Sequence, residues 1–123
     1  MKEPSILIVE DEGLIALHLR EILELAGYPV AGQFATGEAA LRYLEKSGLP
    51  DLVFMDITLL GKMNGIETAR EIRKNSEVPI IFLSARSNPG MIAEAEGITR
   101  SGFLRKPFDE ADVVSLVELS LHL

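Results

Sequence analysis

Short, unbroken apolar runs alternate along this chain with longer stretches in which apolar residues recur every three or four positions. Ile6-Leu7-Ile8-Val9 reads as a buried strand, because a continuous run rich in β-branched residues has no polar face to show to water. Residues 13–26 follow as a helix, with Ile15, Leu19, Ile22 and Ala26 on one face and Gly27 as its C-cap. A weaker strand over 29–34 is interrupted by Gly32. Thr36 then caps a helix with Glu38 close behind, running to about Lys46. Gly48-Leu49-Pro50 is a turn, and Leu52-Val53-Phe54-Met55 a third strand. Asn64-Gly65 opens a helix that carries Ile66, Ala69 and Ile72, and a fourth strand is expected over 78–83. Asn88-Pro89-Gly90 can start a helix, but Gly97 and Thr99 limit it to a turn or two around 91–96. Phe103-Leu104 is a short fifth strand, and Pro107 and Asp109 start a last helix to about Leu121.

Strands alternating with helices imply a parallel sheet with right-handed crossovers, an α/β architecture. The strands at 6–9, 52–55 and 80–83 are apolar throughout, as expected when helices cover both faces of the sheet. No repeat, linker or composition shift divides the chain, so residues 1–123 are expected to form one domain. Apolar residues make up 47% and charged residues 25%, a globular rather than a disordered composition. Cysteine is absent, which excludes disulfides and thiolate metal sites. The net charge of −7 argues against direct binding to nucleic acid or to an anionic membrane. No apolar run has the length of a membrane span, and Glu10 breaks the N-terminal run too early for a secretory signal. A cytoplasmic location is expected.

The ends of the strands carry the chemistry. Glu10 and Asp11 follow the first strand, Asp56 the third, Ser84 the fourth, and Lys106-Pro107 the fifth. In an open parallel sheet, sites form at these carboxyl ends, near a switch in strand order. Three clustered carboxylates repel one another and need a proton or a cation. Mg²⁺ suits them, since it takes oxygen ligands and recruits phosphate oxygens. Asp56 then becomes an oxygen nucleophile toward phosphorus, Lys106 a point cation for phosphoryl charge, and Ser84 a hydrogen-bonding partner of a phosphoryl oxygen. Each residue also has a plainer reading. Glu10-Asp11 as an acidic helix start, Asp56 as a turn or capping residue, Ser84 as a structural hydroxyl and Lys106-Pro107 as a strand end before a helix all remain open.

In order and spacing, residues 4–121 resemble the response-regulator receiver domains of two-component signalling. The resemblance rests on Ile6-Leu7-Ile8-Val9-Glu10-Asp11-Glu12, Asp51-Leu52-Val53-Phe54-Met55-Asp56, Asn64-Gly65-Ile66-Glu67, Pro79-Ile80-Ile81-Phe82-Leu83-Ser84-Ala85 and Gly102-Phe103-Leu104-Arg105-Lys106-Pro107-Phe108. It implies a (βα)₅, flavodoxin-like, doubly wound five-stranded parallel sheet of order 2-1-3-4-5. It also implies roles. Asp56 is the phosphoacceptor, and Mg²⁺ is held by Glu10, Asp11, Asp56 and the backbone carbonyl of Thr58. Ser84 follows the phosphoryl group, Phe103 switches rotamer with it, Lys106 binds phosphate, and the peptide before Pro107 is often cis. The implied partners are a sensor histidine kinase or a histidine phosphotransfer protein. A homodimer mate or an effector domain would meet the fourth helix, fifth strand and fifth helix.

The chain departs from that pattern in three places. Its loop after Asp56 is one residue longer than is common, with Leu60 near the usual proline and Asn64 in place of the usual Asp before Gly65. The fourth helix is short. Ile98-Thr99-Arg100 stands where Ala-Gly-Ala is frequent. The last helix carries Val113, Val114, Leu116, Val117, Leu119 and Leu121, either core residues with scattered exposed ones or a contact face. His18 reads as a solvated or half-buried helical residue, and Arg86, Arg100 and Arg105 as surface charge. Two rival functions are a Mg²⁺ phosphohydrolase with an aspartyl nucleophile and a phosphorylation-independent interaction module of the same fold. Against the first, Asp56 follows the third strand rather than the first, and Thr58 stands where such enzymes place a second acid. Against the second, the acidic site is complete.

Overall fold

The structure, a computed structural model, describes residues 4–85 and 89–122. Its elements follow one another as β1 (Ile6–Val9), α1 (Gly13–Leu25), β2 (Val30–Phe34), α2 (Gly37–Ser47), β3 (Leu52–Asp56), α3 (Gly65–Arg73), β4 (Ile80–Ser84), α4 (Pro89–Glu96), β5 (Ser101–Arg105) and α5 (Glu110–Leu121). All four strand pairings are parallel and the order is β2-β1-β3-β4-β5. The fold class is the one the strand–helix alternation and the resemblance imply.

Because side chains alternate across a strand, each apolar run feeds two cores. Leu7, Val9, Val53, Met55, Ile80 and Phe82 pack on one face with residues of α2, α3 and α4. Ile6, Ile8, Leu52, Phe54, Ile81 and Leu83 pack on the other with α1 and α5. The three central strands are wholly buried, whereas β2 and β5 lie at the sheet edges and are only partly so. That explains why β5 extends over Ser101–Arg105 although only Phe103-Leu104 shows the apolar pattern. β4 starts at Ile80 rather than at Val78 and takes in Ser84. The short α4 is confirmed at eight residues, and Arg86 and Asn88 lie outside the described residues.

Helix starts follow local chemistry. Thr36 Oγ1 accepts from the Ala39 amide, and Asn64 forms a reciprocal capping box with Glu67. Asp109 does the same with Asp112, so α5 begins after Asp109 and Pro107 stands outside it. On α5, Val113 and Val117 are buried and Val114, Leu116 and Leu121 pack partly on the core. Leu119, 59% exposed, is the large apolar residue that α5 leaves in the open, so most of its apolar excess is core.

Arg73, at the end of α3, has no counterpart in the apolar pattern. Its guanidinium donates to the carbonyls of Ser76 and Val78 before β4, and to those of Thr99 and Arg100 before β5. It thereby ties two crossings of the chain at the amino ends of neighbouring strands. Replacing it with Met should remove about 2–3 kcal/mol in urea unfolding, because the part-buried carbonyls of Ser76 and Val78 and the exposed ones of Thr99 and Arg100 lose a charged donor at once. Arg73→Lys should recover only part of this, since an ammonium cannot reproduce the planar fork.

Candidate functional site

The register brings the predicted residues to one end of the sheet. Val9 pairs with Met55 and Asp56 with Leu83, so Glu10, Asp56 and Ser84 leave adjacent strands at similar heights. Ser84 pairs with Arg105, which sets Lys106 beside them, and the Lys106 amide donates to the Ser84 carbonyl at 2.7 Å. The Lys106–Pro107 peptide is cis.

Glu10 and Asp56 are each only 2% exposed, and Asp11 is half-buried. One carboxylate oxygen from each of the three lies within 4.8 Å of the others. Lys106 Nζ sits 2.6 Å from Glu10 Oε1, 3.4 Å from Asp56 Oδ2 and 3.7 Å from Glu12 Oε1. The contact with Glu10 Oε1 is an ion pair outside hydrogen-bond geometry, so that buried oxygen lacks a hydrogen-bond partner among the described residues. Burial pushes the Glu10 carboxyl from its ordinary 4.5 up to about 7. Asp56 pushes the same way, while Lys106 and the Glu12 amide pull back. Burial also pulls the Lys106 ammonium down, but the facing carboxylates of Glu10 and Asp56 outweigh it and leave it above its ordinary range.

The plainer readings fare unevenly. Glu12 is the N-cap of α1 and makes no side-chain cap bond. Glu10 Oε2 accepts from the Glu12 amide and Asp11 Oδ2 from the Leu60 amide at 3.4 Å, so neither acid bonds the amides of the first turn of α1. Asp56 does make a turn: its Oδ1 accepts from both the amide and the hydroxyl of Thr58, at 3.1 and 3.2 Å. Ser84 Oγ donates to the Ala85 carbonyl. Phe103 is half-buried and lies against Phe82, with ring centroids 5.7 Å apart. His18 is exposed and stacks on Phe108, and Arg100 and Arg105 are exposed.

Two features of the site have no local signature in the sequence. Gly65 abuts the end of β3, where a Cβ would stand 1.9 Å from the carbonyl oxygen of Asp56. Glu38 reaches from α2 to the loop after Asp56 and accepts from the Met63 amide at 2.8 Å.

With this geometry in view, known proteins supply the family. The response regulator receiver domain family matches residues 6–118. The chain belongs to that family. Receiver domains are signalling domains of two-component response regulators, and the chain is similar to several of known structure or role. The chemotaxis protein CheY of Thermotoga maritima is 40% identical over 111 residues, which cover 89% of this chain and 90% of that one. The transcriptional regulatory protein PdtaR of Mycobacterium tuberculosis is 34% identical over 116 residues, 94% of this receiver domain but 56% of PdtaR. The chain thus spans about half the length of some curated relatives it matches. The signal receiver domain of a modulated diguanylate cyclase from Desulfovibrio desulfuricans G20 superimposes with a TM-score of 0.91 at 35% identity, covering 98% of this chain and 95% of that domain. Among the described residues, no helix of this receiver domain is long and apolar enough to cross a membrane.

Proposed function

We propose that this receiver domain is a phosphoacceptor switch in which Asp56 takes a phosphoryl group from the phosphohistidine of a sensor histidine kinase or a histidine phosphotransfer protein. The observation that carries the reading is the buried Asp56 carboxylate, with Lys106 Nζ 3.4 Å from Oδ2 and two further acids beside it. An Asp56 oxygen attacks phosphorus, the N–P bond breaks, and its electron pair stays with the imidazole, which takes up a proton. Lys106 faces the incoming negative charge, and Ser84 supplies a hydroxyl at the neighbouring strand end. Water later attacks phosphorus, releasing inorganic phosphate and restoring the carboxylate.

Mg²⁺ fits the donor set. Glu10, Asp11 and Asp56 offer three hard oxygens within 4.8 Å, close to the span of about 4.2 Å between opposite ligands of an octahedral Mg²⁺. Glu10 Oε1 is a buried oxygen whose close partner is the Lys106 ammonium, 2.6 Å away. These three side chains and the Thr58 carbonyl would hold the ion. Bound there, it would neutralise the acids and polarise a phosphoryl oxygen.

The phosphorylated state biases a two-state element made of Ser84 and Phe103, and the face built from α4, β5 and α5 reports it to an effector domain or a second copy. Exchange with such partners would take place in the cytoplasm. Asp56→Asn should abolish labelling by acetyl phosphate in the presence of Mg²⁺, read by intact mass. Continued labelling of that variant at another residue would overturn the assignment.

A further inference from the structure

We infer that Glu38 is a positioning residue that holds the loop between β3 and α3 over the phosphoacceptor site. The inference rests on the receiver reading of Asp56. The loop runs from Ile57 to Asn64 and is fastened to acids along its length. Thr58 donates twice to Asp56 Oδ1, Leu60 donates to Asp11 Oδ2 at 3.4 Å, and Met63 donates to Glu38 Oε1 at 2.8 Å. The other Glu38 oxygen lies 3.2 Å from where a Cβ on Gly61 would stand, at a residue with φ +107°. The carboxylate therefore seats against the one point of the loop that requires glycine.

These fastenings are unlike in kind. Asp56 and Asp11 are reactive or ion-binding groups on the proposed reading, so the charge on the acids that Thr58 and Leu60 bond changes during that chemistry. Glu38 belongs to α2 and has no part in it. When Asp56 and Asp11 change partners, the Glu38 bond to Met63 is the tether that persists. Thr58 itself sits between the buried Ile57 and Leu59, so the tether acts on the later part of the loop, where Leu60 is 72% exposed and has little packing to hold it. Leu60, in that part of the loop, donates to Asp11, one of the acids that would hold the ion, and hydrogen bonds around such groups orient them.

Glu38 also lies in the first turn of α2, where an acid favours the helix dipole with no further role. Charge and reach can be separated. Glu38→Asp keeps the charge at the helix start but shortens the side chain by about 1.5 Å, which takes the Met63 contact out of hydrogen-bond range. Glu38→Gln loses the charge but keeps an oxygen that can accept from Met63.

The test follows Mg²⁺ titrations by amide NMR, Met63 amide exchange, and labelling of Asp56 by acetyl phosphate in wild type and the Ala, Asp and Gln variants at position 38. Glu38→Ala and Glu38→Asp should raise the Mg²⁺ dissociation constant about tenfold. They should speed Met63 exchange and slow labelling by the same factor at limiting Mg²⁺, with recovery at saturating Mg²⁺. Glu38→Gln should stay within about twofold of wild type on all three. If Glu38→Ala fails to fold, the Asp and Gln variants carry the same comparison. Wild-type Mg²⁺ affinity in Glu38→Asp, or a loss in Glu38→Gln equal to that in Glu38→Ala, would overturn the role. Both outcomes leave wild-type labelling of Asp56 intact, whereas a wild type that neither binds Mg²⁺ nor labels overturns the receiver reading together with the tether's function.

Discussion

The ion-free domain is expected to lose stability as pH rises from about 4.5 to about 7, against the usual trend for a carboxylate stabilised by its partners. Glu10 is the cause. In the unfolded chain its carboxyl titrates near 4.5, whereas burial and the neighbouring Asp56 hold it near 7 in the fold. Between those values the folded state keeps a proton that the unfolded chain has lost. Protons taken up on folding favour the fold at low pH, so this stability is fully present below about 4.5 and is lost as pH passes through about 7. The full effect is on the order of 3 kcal/mol, because each tenfold gain in proton affinity on folding is worth about 1.4 kcal/mol. Lys106, held above its ordinary range, stays protonated throughout this window and adds no slope there. Urea unfolding at about pH 5 and about pH 8 should show the difference, and Glu10→Gln, which imitates the protonated acid, should flatten it. Saturating Mg²⁺ should remove or reverse the trend, because the ion requires Glu10 deprotonated and releases its proton. The same linkage weakens Mg²⁺ binding by up to about tenfold for each step of one in pH below about 7. A stability that rises from acid to neutral pH by the same amount in wild type and Glu10→Gln would refute this account of Glu10.

Gly65→Ala should cost about 3 kcal/mol or more in urea unfolding and should abolish efficient labelling of Asp56. The added Cβ would lie 1.9 Å from the Asp56 carbonyl oxygen, 2.8 Å from its carbon and 3.0 Å from Ile57 Cα. All three are backbone atoms, so no side-chain rotation relieves the overlap. Either the start of α3 must move away, breaking the bond from the Gly65 amide to the Ile57 carbonyl, or the end of β3 must shift and carry the Asp56 side chain with it. A Gly65→Ala protein that loses under about 1 kcal/mol and labels at the wild-type rate would show that the contact relaxes freely.

What was legible in the sequence follows from how local each interaction is. The central strands could be read because helices cover both of their faces, which makes every position apolar. The edge strand β5 could be read only at Phe103 and Leu104, since Ser101, Gly102 and Arg105 are not enclosed on both sides. Glu10, Asp11, Asp56 and Lys106 were visible because a polar residue that ends a buried strand must emerge at the rim of the sheet. The Asn64 cap was equally visible, because its partner Glu67 lies only three residues on. Glu38 and Arg73 were not. Their partners are backbone groups, which carry no side-chain identity to read, and those at Met63, Thr99 and Arg100 lie 25 to 27 residues away. Gly65 appeared as a helix start, but the wall it faces is made by the end of another element.

The turn at Asp56 also decides which of its oxygens is which. A free carboxylate is symmetric, and either oxygen can attack. Here Oδ1 already serves two donors from Thr58, while Oδ2 faces the ammonium of Lys106. An acyl phosphate has the same division of labour: one oxygen stays a carbonyl acceptor, the other becomes the bridge to phosphorus. The resting side chain is thus desymmetrised in advance, and on the proposed reading Oδ2, the oxygen beside Lys106, is the one that attacks phosphorus.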